Sequence, residues 1–217
     1  MNSMMFYKIM AKCYDLLDFI YFRDYQHSPR KASLESINSK DRVLDICTGT
    51  ATTVIQIAKQ HSNTEIMGID ISDAMLKIAE NKLCKEHIKN VELFYMNATD
   101  MTFEKDCFDK VLISLVLHEM DDILAEKLLS EAVRVLKKEG RIIVTEWEPS
   151  KVLWRKLLFL PIHIFEPKTY RSFVKKDLYQ YFRSFDFEVE KEIHCNYSRV
   201  LILKKKENDG TTERLML

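Results

Sequence analysis

Turn-forming residues are scarce in this chain: 217 residues contain four glycines and four prolines. That scarcity excludes Gly/Pro-rich low-complexity architectures and leaves little room for long flexible linkers. An excess of one charge is also lacking, since 33 Lys and Arg balance 33 Asp and Glu. A neutral chain has no general pull toward a polyanion, so no nucleic acid partner is expected. Cysteine is sparse, odd in number (five) and scattered, with no CxxC or CxxxC pair. No zinc, other metal or redox centre is therefore expected, and the thiols read as reduced, which points to a cytoplasmic protein. The first residues, MNSMMFYKIMAKCYDLLDFIYF, have no basic start followed by an unbroken apolar core, and Asp15 and Asp18 interrupt the apolar positions. Neither a signal peptide nor a membrane span is expected there.

What the chain does have is alternation. Short β-rich runs, RVLDIC (42–47), EIMGID (65–70), VELFYM (91–96), KVLISL (110–115) and RIIVTEW (141–147), are separated by segments of helical periodicity. Ser72 opens a helix that buries Leu76, Ala79 and Leu83. Asp121 or Asp122 caps another, with Gly140 expected just past its end. Helical crossovers between strands predict one α/β domain with a mostly parallel sheet covered on both faces. Past Trp147 the rhythm changes. A helix is expected near Val174 to Phe182, then two runs, 187–194 and 197–206, as antiparallel neighbours. Two helices, Tyr7 to Phe22 and Pro29 to Ile37, precede the first strand, the second with Ser28 as cap and Pro29 at its first position. These divide the chain into an N-terminal helical part (1–40) covering the active site, a ligand-binding domain (41–206) with a lid or substrate segment at about 150–183, and a loose tail (207–217).

Two carboxylates stand where strands end. Asp45 closes VLD, the small-residue turn CTGTA follows, and Asp70 closes GID twenty-five positions later. Ligands of parallel α/β sheets bind at such carboxyl ends. The turn does not match GxGxxG, because Thr52 stands where glycine or alanine is required. A carboxylate just before the turn disfavours a pyrophosphate. It suits a ligand ammonium, while the second carboxylate suits ribose hydroxyls. S-adenosylmethionine (SAM) has both groups and no phosphate. A structural role stays open for each aspartate: Asp45 as a turn-former and Asp70 as a helix cap.

With these residues the chain resembles the class I SAM-dependent methyltransferases over roughly Tyr14 to Arg199. VLDICTGTATT resembles the first motif of the family, with Asp45 and Gly49 at its acidic and glycine positions and Cys47 and Ala51 in place of the outer glycines. GIDIS resembles the second, which implies Asp70 as the ribose carboxylate with Ile71 beside it. The resemblance further implies that Asn97 and Ala98 face the adenine, that Met75 lies against it, and that Ser114 and Leu115 line the methionine end. It implies a Rossmann-like, mostly parallel seven-stranded sheet with an antiparallel C-terminal strand pair, SAM as cofactor and S-adenosylhomocysteine as product. AKCYDLLD, around Tyr14, is similar to a shorter pattern in quinone-biosynthesis C-methyltransferases, which implies a small or lipophilic acceptor. Two other readings stand beside transfer: a SAM-binding regulatory protein and a nicotinamide-dependent oxidoreductase.

His118 follows the fourth strand. It reads either as a base or acceptor-orienting residue near the methyl donor, or as a polar residue opening a helix. Tyr14, Tyr170 and His163 divide in the same way. Cys47 reads as a small packing residue rather than a nucleophile. Residues 151–183 carry eight Lys or Arg against Glu166 and Asp177, interleaved with aromatic and aliphatic residues. Contact with the inner face of a membrane or with a lipophilic substrate is one reading, and a packed lid with a solvated face is the other.

Overall fold

The computed structural model describes Tyr21, residues 24–148 and residues 168–206. The expected helix Tyr7 to Phe22 apart from Tyr21, the candidates Tyr14 and His163, most of the basic segment, and the tail lie outside the described residues.

Seven strands form one sheet: β1 (Arg42–Ile46), β2 (Glu65–Asp70), β3 (Val91–Tyr95), β4 (Phe108–Ser114), β5 (Leu136–Trp147), β6 (Phe187–His194) and β7 (Ser198–Lys205). Their spatial order is β3-β2-β1-β4-β5-β7-β6. The first five run parallel, and β7 is antiparallel to both β5 and β6. This is the Rossmann-like mixed sheet expected from the sequence. The helices are α1 (Pro29–Glu35), α2 (Thr52–Gln60), α3 (Asp73–Lys85), α4 (Asp122–Val135), α5 (Lys168–Phe173) and α6 (Leu178–Arg183), with a 3-10 turn at Leu117–Glu119.

The apolar runs fill two buried layers. One joins Leu44, Ile46 and Ile113 to Leu128, Leu129 and Phe182, and the other joins Val43, Ile57, Leu112 and Ile143 to Val54 and Ala32. Alternation along β1 and β4 sends neighbouring residues to opposite layers, as the strand pleat requires. Caps begin the helices as anticipated: Ser28 Oγ accepts from Arg30 N–H, Ser72 Oγ from Met75 N–H, and Asp121 Oδ1 from Leu124 N–H.

Two local expectations are corrected. No single helix covers Val174 to Phe182: α5 stops at Phe173, and Asp177 accepts from the N–H groups of Tyr179 and Gln180 to start α6. The N-cap outcompetes the periodicity. Gly140 does not end a helix either. α4 ends at Val135, Leu136 is already extended, and Gly140 lies within β5, where an added Cβ would come 3.0 Å from the Asp109 carbonyl oxygen. No helix among the described residues is long and apolar enough to cross a membrane.

Candidate active site

The order of strands reverses between β1 and β4, which opens a crevice above their carboxyl ends. Asp45 on β1 is in register with Gly68 on β2 and Leu112 on β4, so the tips stand at matched heights. The connection after β1 then takes a left-handed backbone three times, at Cys47 (φ 58°), Gly49 (φ 56°) and Ala51 (φ 58°). These are the three glycine positions of the motif the turn resembles. Only one holds the residue for which this backbone is unstrained; Cys47 and Ala51 each bear about 1–2 kcal/mol of strain. Space is open where a Cβ on Gly49 would project, with nothing within 4 Å.

The turn is tied to the neighbouring strand. Thr48 N–H donates to the Ile69 carbonyl at 2.9 Å, and Gly49 N–H donates to Asp70 Oδ2 at 2.8 Å. The other Asp70 oxygen accepts from Ser72 N–H at 2.8 Å. Two backbone donors thus fix the plane of the carboxylate, and it keeps lone pairs for further donors such as vicinal hydroxyls. Helix capping falls to Ser72, not to Asp70.

Asp45 is 3% exposed, and Thr48 Oγ1 donates to its Oδ2 at 2.6 Å. Burial, with a contribution from the charge of Asp70, pushes its carboxyl up to about 7 despite the Thr48 hydrogen bond. A buried, half-neutralised carboxyl is poorly satisfied alone and suits a cationic partner. Cys47 is pushed up to about 12 by burial and by the charges of Asp70, Asp45 and Glu119. A thiol so far from ionisation is not a nucleophile.

The other predicted positions among the described residues lie at or just past the ends of β2, β3 and β4. Ile71, 63% exposed, follows Asp70, and Tyr95, 67% exposed, ends β3 opposite Asp70. Asn97 is exposed, with its Oδ1 accepting from Thr99 N–H and Oγ1, and Ala98 is buried beneath the turn. Met75 is half-buried on the first turn of α3. Ser114 ends β4, and Leu115 continues it with φ 55°, an unusual backbone for a bulky side chain.

His118 lies in the 3-10 turn after β4, and both it and Glu146 of β5 are 1% exposed. His118 Nδ1 is 2.6 Å from Glu146 Oε2, Leu117 N–H donates to Glu146 Oε1 at 2.9 Å, and the Tyr170 ring meets the imidazole edge-on at 5.7 Å. Glu146 was not singled out in the sequence. It bears the signal that marked Asp45 and Asp70, a carboxylate near the end of an apolar strand run, here RIIVTEW. A separate cavity of ≈180 Å³ lies between the Leu117–Glu119 turn, the start of α4, α5 and α6, lined by Leu117, Met120, Phe173, Lys176 and Tyr181 among others.

Two carboxylates, a small-residue turn and exposed apolar side chains therefore stand at adjacent strand tips. Comparison with known proteins agrees. Residues 37–184 match the sequence profile of the methyltransferase-domain family. The demethylmenaquinone methyltransferase of Staphylococcus saprophyticus is 31% identical over 179 residues, spanning 80% of this chain and 75% of that protein. That of Bacillus subtilis is 30% identical over 168 residues, spanning 76% and 71%. A SAM-dependent methyltransferase from Aquifex aeolicus shares the fold with a TM-score of 0.66 at 18% identity over 81% of this chain and 88% of that one. The PH0226 protein of Pyrococcus horikoshii does so at 0.68 and 18%, over 90% and 99%. The chain belongs to the methyltransferase-domain family and is a class I SAM-dependent methyltransferase, with resemblance to the quinone C-methyltransferases.

Proposed function

We propose that this methyltransferase acts on a small lipophilic acceptor of the quinone-precursor class, and that Asp70, Asp45 and their neighbours hold its cofactor. The acceptor reading draws on the relatives named for demethylmenaquinone. The site reading rests above all on Asp70 at the tip of β2, whose two oxygens are held by the Gly49 and Ser72 N–H groups.

In this reading Asp70 accepts the ribose hydroxyls, and Asp45 with the Cys47–Ala51 turn receives the amino-acid end. Ile71 and Met75 lie against the adenine, Asn97 and Ala98 meet its edge, and Ser114 and Leu115 border the reacting end. When bound, SAM supplies an electrophilic methyl on a sulfonium. The chain contributes alignment of the acceptor, exclusion of water and removal of an acceptor proton. His118, in the turn after β4, is the candidate proton acceptor, and Tyr14 is a further candidate from the N-terminal part. Residues 1–40 and about 150–183 would close over the acceptor, the basic apolar stretch meeting the membrane in which a lipophilic acceptor dissolves.

Thermal unfolding with and without ligand tests the site. SAM or S-adenosylhomocysteine should raise Tm while NAD does not, and Asp70→Ala should remove most of that rise. A variant stabilised as strongly as the parent would refute the ribose assignment. Transfer of a labelled methyl to reduced short-chain demethylmenaquinone tests the acceptor class. Co-sedimentation with anionic vesicles tests the membrane contact.

A further inference from the structure

Among the described residues, the pair of His118 and Glu146 is a buried ionisable cluster whose role goes beyond holding the cofactor. It joins β5 to the turn after β4, 28 residues apart in sequence. A buried polar pair often gives no more stability than apolar residues of the same volume, so its geometry calls for another explanation.

The hydrogen bonds orient the pair. Leu117 N–H can only donate, so Glu146 Oε1 is an acceptor. An Nδ1–H donating to Oε2 at 2.6 Å is the usual way a carboxylate orients an imidazole. In that tautomer the lone pair of the neutral ring sits on Nε2.

We propose that Glu146 is a positioning residue that holds His118 in its Nδ1–H tautomer, making Nε2 the base for an acceptor that carries an acidic hydroxyl, a phenol or hydroquinone. This rests on the reading of His118 given above. In the step, the acceptor O–H bond breaks, its electron pair stays on the acceptor oxygen, and the proton forms a bond to Nε2. The imidazolium so formed is stabilised by the Glu146 carboxylate.

Tyr170, Tyr181, Arg199, Glu119 and Lys176 are described aromatic and charged groups around the pair. The Tyr170 ring is an edge contact. Burial, and the charges of Asp122 and Glu146, push the Tyr181 hydroxyl up to about 12, so it stays neutral. Arg199, the register partner of Glu146 on β7, donates to Glu192 at 3.2 Å. Glu119 belongs to the same turn as His118, and Lys176 pairs with Asp122.

Glu146→Gln gives a sharp test. Leu117 N–H will claim the amide oxygen, leaving the amide NH₂ facing Nδ1, which must then become an acceptor and drive the proton to Nε2. Nitrogen-15 spectra of the full chain labelled at histidine should show His118 as Nδ1–H in the parent and Nε2–H in the variant. Methyl transfer to reduced demethylmenaquinone should fall by about 10²-fold or more through kcat, with loss of the acid limb of the pH profile. The Kd for S-adenosylhomocysteine should be unchanged, and Glu146→Asp should recover part of the rate.

An Nε2–H tautomer in the parent overturns the proposal even if the variant does not fold. An unaltered pH profile in a variant whose tautomer has flipped also overturns it. Failure of the parent to methylate any hydroquinone while binding S-adenosylhomocysteine would instead refute the acceptor class proposed above, and with it the base role.

Discussion

The side chain of Thr48 lies directly over Gly68: a Cβ built on that glycine would stand 3.1 Å from both Thr48 Cγ2 and Thr48 Oγ1. The bare backbone of β2 is what lets the Thr48 hydroxyl reach Asp45 at 2.6 Å. Gly68→Ala should displace Thr48 and crowd Leu93 Cδ2, at 2.8 Å. We expect a loss of about 1–3 kcal/mol in urea denaturation together with weaker binding of S-adenosylhomocysteine by calorimetry. Unchanged affinity in a destabilised variant would show that Thr48 does not connect β2 to the ligand.

Asp45 should trade stability for binding. Its folded carboxyl is raised from 3.8 to about 7, so between those values the folded chain holds a proton that the unfolded chain has lost. The resulting stability is present below pH 4 and disappears as pH rises through 7. Above pH 7 the buried charge costs about 4 kcal/mol. Asp45→Asn should therefore be more stable than the parent at pH 8 without ligand, with the gap closing toward pH 4. The same variant should bind S-adenosylhomocysteine more weakly. Because a ligand ammonium favours the ionised carboxyl, the parent should release about half a proton on binding at pH 7, read from calorimetry in buffers of different ionisation enthalpy, and the variant none.

The strained turn makes a prediction about backbone. Ala51 is fully buried with φ 58°. Replacing it by glycine removes about 1–2 kcal/mol of left-handed strain and forfeits about 0.8 kcal/mol of methyl burial. Ala51→Gly should thus leave the chain as stable or up to about 1 kcal/mol more stable, with cofactor affinity retained. A Tm that falls by several degrees would show that the methyl, not the dihedral, governs this position.

Much of this was readable from residue order. The five parallel runs were visible because a strand buried on both faces must be apolar, and Asp45 and Asp70 stood out because a carboxylate at the end of such a run has no apolar surroundings to offer. Glu146 follows that rule, but Thr145 and Trp147 flank it and RIIVTEW reads as ordinary strand alternation. Its partner is 28 residues away, and pairings at that range are products of the sheet, not of local pattern. The break between α5 and α6 was hidden for a related reason: Asp177 acts through two hydrogen bonds that outweigh an apolar periodicity running across it. The left-handed backbone of Leu115 had no local signal.

The parallel register of β1, β2 and β4 has an evolutionary consequence. Moving β2 by one residue against β1 would turn Asp70 to the opposite face of the sheet and offer Ile69 or Ile71 to the Gly49 amide instead. Insertions and deletions should therefore be confined to 61–64 and other connections away from the strand tips, whereas a single codon gained or lost inside EIMGID should abolish activity even where the fold survives.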